Sequence, residues 1–159
     1  MKIALPLNNG FTIIELLISV AIGGLLIGAV FASYRGIGDK QTVKQAGISF
    51  QTNLKSVQQK ALTGTKPTGC SGTLTGYQVS YISLTSFSVT SVCTTTNLES
   101  VTFTLPQGVS FQAAFNPNNI FFSVLSAQVD GAQTIIIAKN SHSYLVTIEP
   151  SGVIRGESL

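Results

Sequence analysis

A single apolar run dominates the N-terminal part of the chain. From Phe11 to Tyr34 the sequence reads FTIIELLISVAIGGLLIGAVFASY, broken by one carboxylate, Glu15. As a helix rising about 1.5 Å per residue it reaches roughly 36 Å, enough for a hydrocarbon core of about 30 Å. A short leader, MKIALPLNNG, precedes it, and Arg35 closes it. The run reads as a membrane helix, and what remains of the 159 residues suffices for one modest domain. Charge is scarce: nine Lys+Arg against six Asp+Glu leave +3, with 9% of residues charged and 44% hydrophobic. That balance excludes a disordered chain, and cations this few and scattered argue against a nucleic-acid platform.

Two ordinary readings compete for the run. A secretory signal peptide would be cut near Val30-Phe31-Ala32, before Ser33. Its apolar core, however, is about 7–15 residues, well short of this one. A plain single-span anchor has the right length. Neither accounts for Glu15, since an acid at the centre of a membrane helix costs about 2.5–3.5 kcal/mol on insertion scales. Near the interface the cost is smaller, so position alone leaves an ordinary interfacial Glu open.

The flanking residues supply the missing element. Gly10-Phe11-Thr12-Ile13-Ile14-Glu15-Leu16-Leu17-Ile18-Ser19-Val20-Ala21-Ile22 resembles the class III signal of type IV pilins and type II secretion pseudopilins. The resemblance implies that a prepilin peptidase cuts between Gly10 and Phe11 and methylates the new Phe11 amine. It implies a filament subunit, not an enzyme, with a pilin-like α+β fold: a long N-terminal helix on an antiparallel β domain. The physics agrees. Cleavage frees an amine four residues ahead of Glu15, and each charge alone is expensive in apolar surroundings. Axially offset helices let one copy's carboxylate meet its neighbour's amine, so assembly relieves both. The helix dipole also favours Glu15 in the first turn.

Gly24, Gly28, Ala32 and Gly36 recur every fourth residue, a stripe that lets helices approach closely in lipid. Gly23-Gly24, Gly36 and Gly38 are also places where the helix is free to bend. Past the span, Val43, Gly47, Phe50, Leu54, Val57 and Ala61 form an apolar stripe opposed by Lys44, Gln45, Gln51 and Gln59. The segment 39–62 therefore reads as an amphipathic helix on a core, ended by Gly64 and Pro67. The expected organisation is a leader at 1–10, a membrane helix and filament core at 11–35, an amphipathic helix at 36–62 and a β-rich domain at 63–159.

Beyond residue 70 the period falls to two. Tyr77-Val79-Tyr81, Phe87-Val89 and Val101-Phe103-Leu105 alternate with polar residues. Ile120–Leu125, Thr134–Ala138, Tyr144–Ile148 and a short Val153-Ile154 follow, giving seven or eight strands. Turns are expected at Pro106-Gln107-Gly108, Pro117-Asn118-Asn119, Asp130-Gly131, Lys139-Asn140 and Pro150-Ser151-Gly152, with Asp130-Gly131 the best hairpin signal.

Cys70 and Cys93 fall among Ser- and Thr-rich strands. With that domain outside the cytoplasm, as the resemblance implies, a disulfide between them is favoured over two buried thiols and contributes roughly 3 kcal/mol. Nothing nominates a catalytic site. His142 is the sole histidine, without a nucleophile beside it, so no metal site and no cofactor are expected.

The closing Tyr144–Ile148 and Ser151-Gly152-Val153-Ile154-Arg155 resemble minor pilins and H-type pseudopilins, whereas the early cysteines depart from major pilins. The expected function is a structural subunit of a type IV pilus or type II secretion pseudopilus. It would lie in a bacterial inner membrane with its leader cytoplasmic, then in a filament. The resemblance implies as partners prepilin peptidase, other pilin subunits, the inner-membrane assembly platform and, before assembly, lipid. The positive-inside rule alone favours the reverse orientation, because Arg35, Lys40 and Lys44 follow the span; the processing motif overrides it. Two alternatives stand beside this reading: a DNA-binding minor pilin contacting phosphates through Lys139 and Arg155, and a membrane-anchored domain of other function.

Overall fold

The computed structural model describes residues 11–95, 100–126, 128–130 and 133–159, apart from the side chains of 29–37. The leader with Gly10, the side chains of Ala32 and Gly36, and Gly131 lie outside the described residues. The chain forms two units, Met1–Ile37 and Gly38–Leu159.

Helix α1 (Ile13–Leu62) runs through both units and is helical at Gly36 and Gly38. It starts where Thr12 caps it, and it stops in a Schellman turn. There Thr65 N–H donates to Lys60 O at 3.1 Å, Gly64 N–H donates to Ala61 O at 3.1 Å, and Gly64 takes φ 59°. Ala61 O also accepts from Leu125 N–H at 3.0 Å, so a distant loop helps close the helix.

The second unit holds β1 (Leu74–Ser83), β2 (Ser86–Cys93), β3 (Val101–Thr104), β4 (Ser110–Phe111), β5 (Asn119–Ser123), β6 (Gln133–Lys139), β7 (His142–Ile148) and β8 (Ile154–Ser158). They form two antiparallel four-stranded sheets, β3-β2-β1-β5 (sheet A) and β4-β6-β7-β8 (sheet B). The fold is α+β, with the strands divided between two sheets.

The strands on either side of Asp130 do not pair with each other, because β5 pairs with β1 while β6 pairs with β4 and β7. The tight hairpins are elsewhere. Leu84-Thr85 joins β1 to β2, and Asn140-Ser141 joins β6 to β7 with Asn140 at φ 53°. Asparagine tolerates that left-handed backbone better than most residues.

The helix lies where the two sheets meet. Val43, Ala46, Gly47, Phe50, Leu54, Val57 and Ala61 are buried, at the spacing the sequence predicts. Phe50 meets Phe87 of β2 edge-on, with centroids 4.9 Å apart, and Phe111 of β4 at 5.4 Å, so one ring touches both sheets. Truncating such a ring to Ala costs about 3–5 kcal/mol. Gly47 is required by close approach, because a Cβ there would overlap the Tyr144 ring of β7.

Glutamines finish the joins. Gln51 Nε2 donates to Ile154 O at 3.1 Å and Gln58 Nε2 to Gly152 O at 2.7 Å, so the helix holds the start of β8 and the turn before it. The Gln133 side chain, 3% exposed, donates from β6 to Asn119 O of β5 at 3.0 Å and ties sheet B to sheet A.

Candidate processing and assembly site

Thr12 is the N-cap of α1. Its Oγ1 accepts from Glu15 N–H at 3.3 Å while its carbonyl accepts from Leu16 N–H at 3.2 Å. Thr12-Ile13-Ile14-Glu15 is a capping-box sequence, so Glu15 falls at the third helical position, where the dipole favours a carboxylate. The sequence carries that signal, and the alternation of apolar residues around it hides it. Ser19 Oγ donates to Glu15 O at 2.8 Å one turn on. Glu15 has no ion-pair partner among the described residues.

The helix around Glu15 is apolar on every side and uncovered. Phe11 is 78% exposed, Ile13 82% and Leu25 77%, and no described position from Phe11 to Gly28 is buried. A soluble surface helix would show one polar face. Gly24 and Gly28 face open space, so an approaching helix meets no side chain there. Among the described residues no helix is long and apolar enough to cross a membrane. The apolar stretch with described side chains, 13–28, reaches roughly 24 Å against a core of about 30 Å. The expected span 11–35 continues into 29–37.

Cys70 and Cys93 are joined, with Cα atoms 6.0 Å apart, tying the approach to β1 to the end of β2. The basic residues are not brought together. Lys139 lies at the β6–β7 turn, opposite His142, and Arg155 lies opposite Thr147 on β8. Those positions are about 17 Å apart along β7, from His142 to Thr147.

Each cation is also paired with an acid. Lys139 Nζ is 2.9 Å from Asp39 Oδ1, and Arg155 Nε is 3.3 Å from Glu149 Oε1. Asn140 Nδ2 donates to Asp39 Oδ2 at 2.7 Å. The hydrogen bond from Lys139, seconded by that from Asn140, holds the Asp39 carboxyl below its ordinary value. Burial raises the pKa of the Tyr77 hydroxyl, which donates to Thr65 O at 2.6 Å. Among the described residues no group of three His, Cys, Asp or Glu is placed to hold a metal.

Residues 6–31 match the family described as the prokaryotic N-terminal methylation motif. The chain carries a type IV pilin-like prepilin signal. The match spans the second half of the leader, the Gly10-Phe11 junction, Glu15 and the uncovered helix, so the prepilin signal and the apolar geometry coincide. No match emerged among curated proteins or among solved structures.

Proposed function

We propose that this chain is a structural subunit of a type IV pilus or type II secretion pseudopilus, of the minor pilin or pseudopilin kind. The observation that carries the reading is the methylation motif over residues 6–31. Prepilin peptidase cuts between Gly10 and Phe11 and methylates the Phe11 amine. Before assembly the helix from Phe11 to Arg35 lies in the inner membrane, with the β domain on the far side from the leader.

Assembly then rests on two properties of that helix. Its apolar sides exchange lipid for neighbouring helices, with Gly24, Gly28, Ala32 and Gly36 as the close-approach stripe. Glu15 of one copy neutralises the Phe11 amine of the next, and in low dielectric that pairing is worth far more than in water. Uncleaved protein has no amine at Phe11, so processing licenses entry into the filament through the assembly platform. The pilin-like arrangement of a long helix on antiparallel sheets fits this role, which is not catalytic.

Intact mass of the membrane-extracted protein tests the proposal. The mature chain should begin at Phe11, carry one added methyl and lack two hydrogens through the Cys70–Cys93 bond. A chain still beginning at Met1, or cut after Ala32, refutes it.

A further inference from the structure

The two flanks of α1 in the second unit are polar in the same way and occupied differently. On one flank, Gln51 and Gln58 donate to the carbonyls of Ile154 and Gly152, at the start of β8 and in the turn before it. On the other flank, Gln45, Ser49, Asn53 and Ser56 repeat at helical spacing along a groove whose far wall includes Phe103 of β3. Those four side chains make no hydrogen bond among the described residues.

The edge of β3 has a defined phase. Leu105 N–H donates to Thr85 O at 2.8 Å, which makes Leu105 and Thr85 a hydrogen-bonded pair. Alternation then gives Phe103–Phe87 and Val101–Val89 the remaining bonds to β2. Thr102 and Thr104 therefore turn N–H and C=O outward, and among the described residues nothing pairs with them. Beneath this edge lies a cavity of about 330 Å³ lined by Val57, Val89, Val101 and Phe103, with Lys60 at its rim. Val101 is 59% exposed.

We infer that this groove is a docking site for an extended segment of a partner protein. The segment is taken up as a fifth strand of sheet A, with an apolar side chain in the cavity and a carboxylate against Lys60. An edge offering N–H and C=O at alternate residues selects an extended backbone over a helix. The added strand's own outer edge then faces the helix row, as β8 faces Gln51 and Gln58. Lys60 is the one charged side chain on the groove's walls among the described residues, and it sets the sign of the partner.

A second copy of this chain is the rival occupant, because Glu99 lies two residues before its own β3, and the test separates the two. The inference does not depend on processing at Gly10.

The test uses the full chain in detergent micelles and two blocked synthetic heptapeptides that alternate Val or Phe with Thr. One peptide ends in Glu and the other in Lys. The Glu peptide should bind saturably and slow amide exchange at Thr102 and Thr104 by at least about tenfold. Thr102→Pro removes an outward N–H without breaking a bond to β2, and it should abolish binding. Lys60→Glu, which changes a side chain with no hydrogen bond or ion pair among the described residues, should weaken the Glu peptide about tenfold and favour the Lys peptide instead. Absence of saturable binding by both peptides overturns the inference, as does unchanged binding to Lys60→Glu. Chains that pair through β3 without peptide would overturn it in favour of self-association.

Discussion

Replacing both Cys70 and Cys93 by Ala should destabilise the second unit without unfolding α1 within the first. The cysteines are 23 positions apart and both are buried, so the bond closes one internal loop and leaves no thiol to titrate. In the chain-entropy account such a loop removes about 11.6 cal/mol/K from the unfolded ensemble, or about 3.4 kcal/mol at 25 °C. For a unit of about 120 residues, unfolding entropy near 2.1 cal/mol/K per residue converts that loss into roughly 13 °C of Tm. Thermal unfolding of the micelle-bound chain, followed by the near-UV signal of Tyr77, Tyr81 and Tyr144, measures it. Reduced wild-type protein is the internal control and should melt with the double variant. A fall of less than about 4 °C in both, or reduced wild type melting with the oxidised form, would refute the loop-closure reasoning.

Two further outcomes follow from close contacts. Gly47→Ala should destabilise by about 1–3 kcal/mol, although Ala is the better helix former, because its methyl meets the buried Tyr144 ring; Gly38→Ala, which faces open space, should stabilise by about 0.5–1 kcal/mol. Denaturant titration of the two variants side by side checks the contrast. Asp39→Asn should be less stable than wild type near neutral pH. The folded carboxyl titrates below its ordinary value of 3.8, so its contribution is full above that value and is lost as pH falls through the lower one. Unfolding at about pH 6 and about pH 2.5 should show the gap closing, and a gap that widens in acid contradicts the Lys139 pairing.

Much of the helix was legible because its period is local. Val43, Phe50, Leu54, Val57 and Ala61 are buried as their spacing predicts, and Gly64 ends the helix as its freedom at φ 59° allows. The strands around Val79, Val89, Ile137 and Val146 followed from alternation for the same reason. Pairing between strands was not legible, since it is decided by non-local contacts. Asp130-Gly131 has the composition of a hairpin, yet the flanking strands belong to different sheets.

β4 is too short to show a period, although Phe111 is 1% exposed. β8 runs through Arg155, Gly156 and Glu157, where no apolar signal exists. Gln51 read as solvent-facing, but a helix flanked by two sheets places its border residues against strand edges. At the candidate site, Gly10, Phe11 and Glu15 were readable as a motif. The cap at Thr12 was masked by apolar neighbours, and the grouping of Lys139 with Arg155 failed because the two lie at opposite ends of a sheet.

The glutamine seal on β8 bears on how this head avoids runaway stacking. A plate with two bare rims can add copies without limit, as fibrous aggregates do. Here Gln51 engages β8 at Ile154 in sheet B and Gln133 engages β5 at Asn119 in sheet A, so each sheet has one rim held from within and a join at β3 opens no second growing rim.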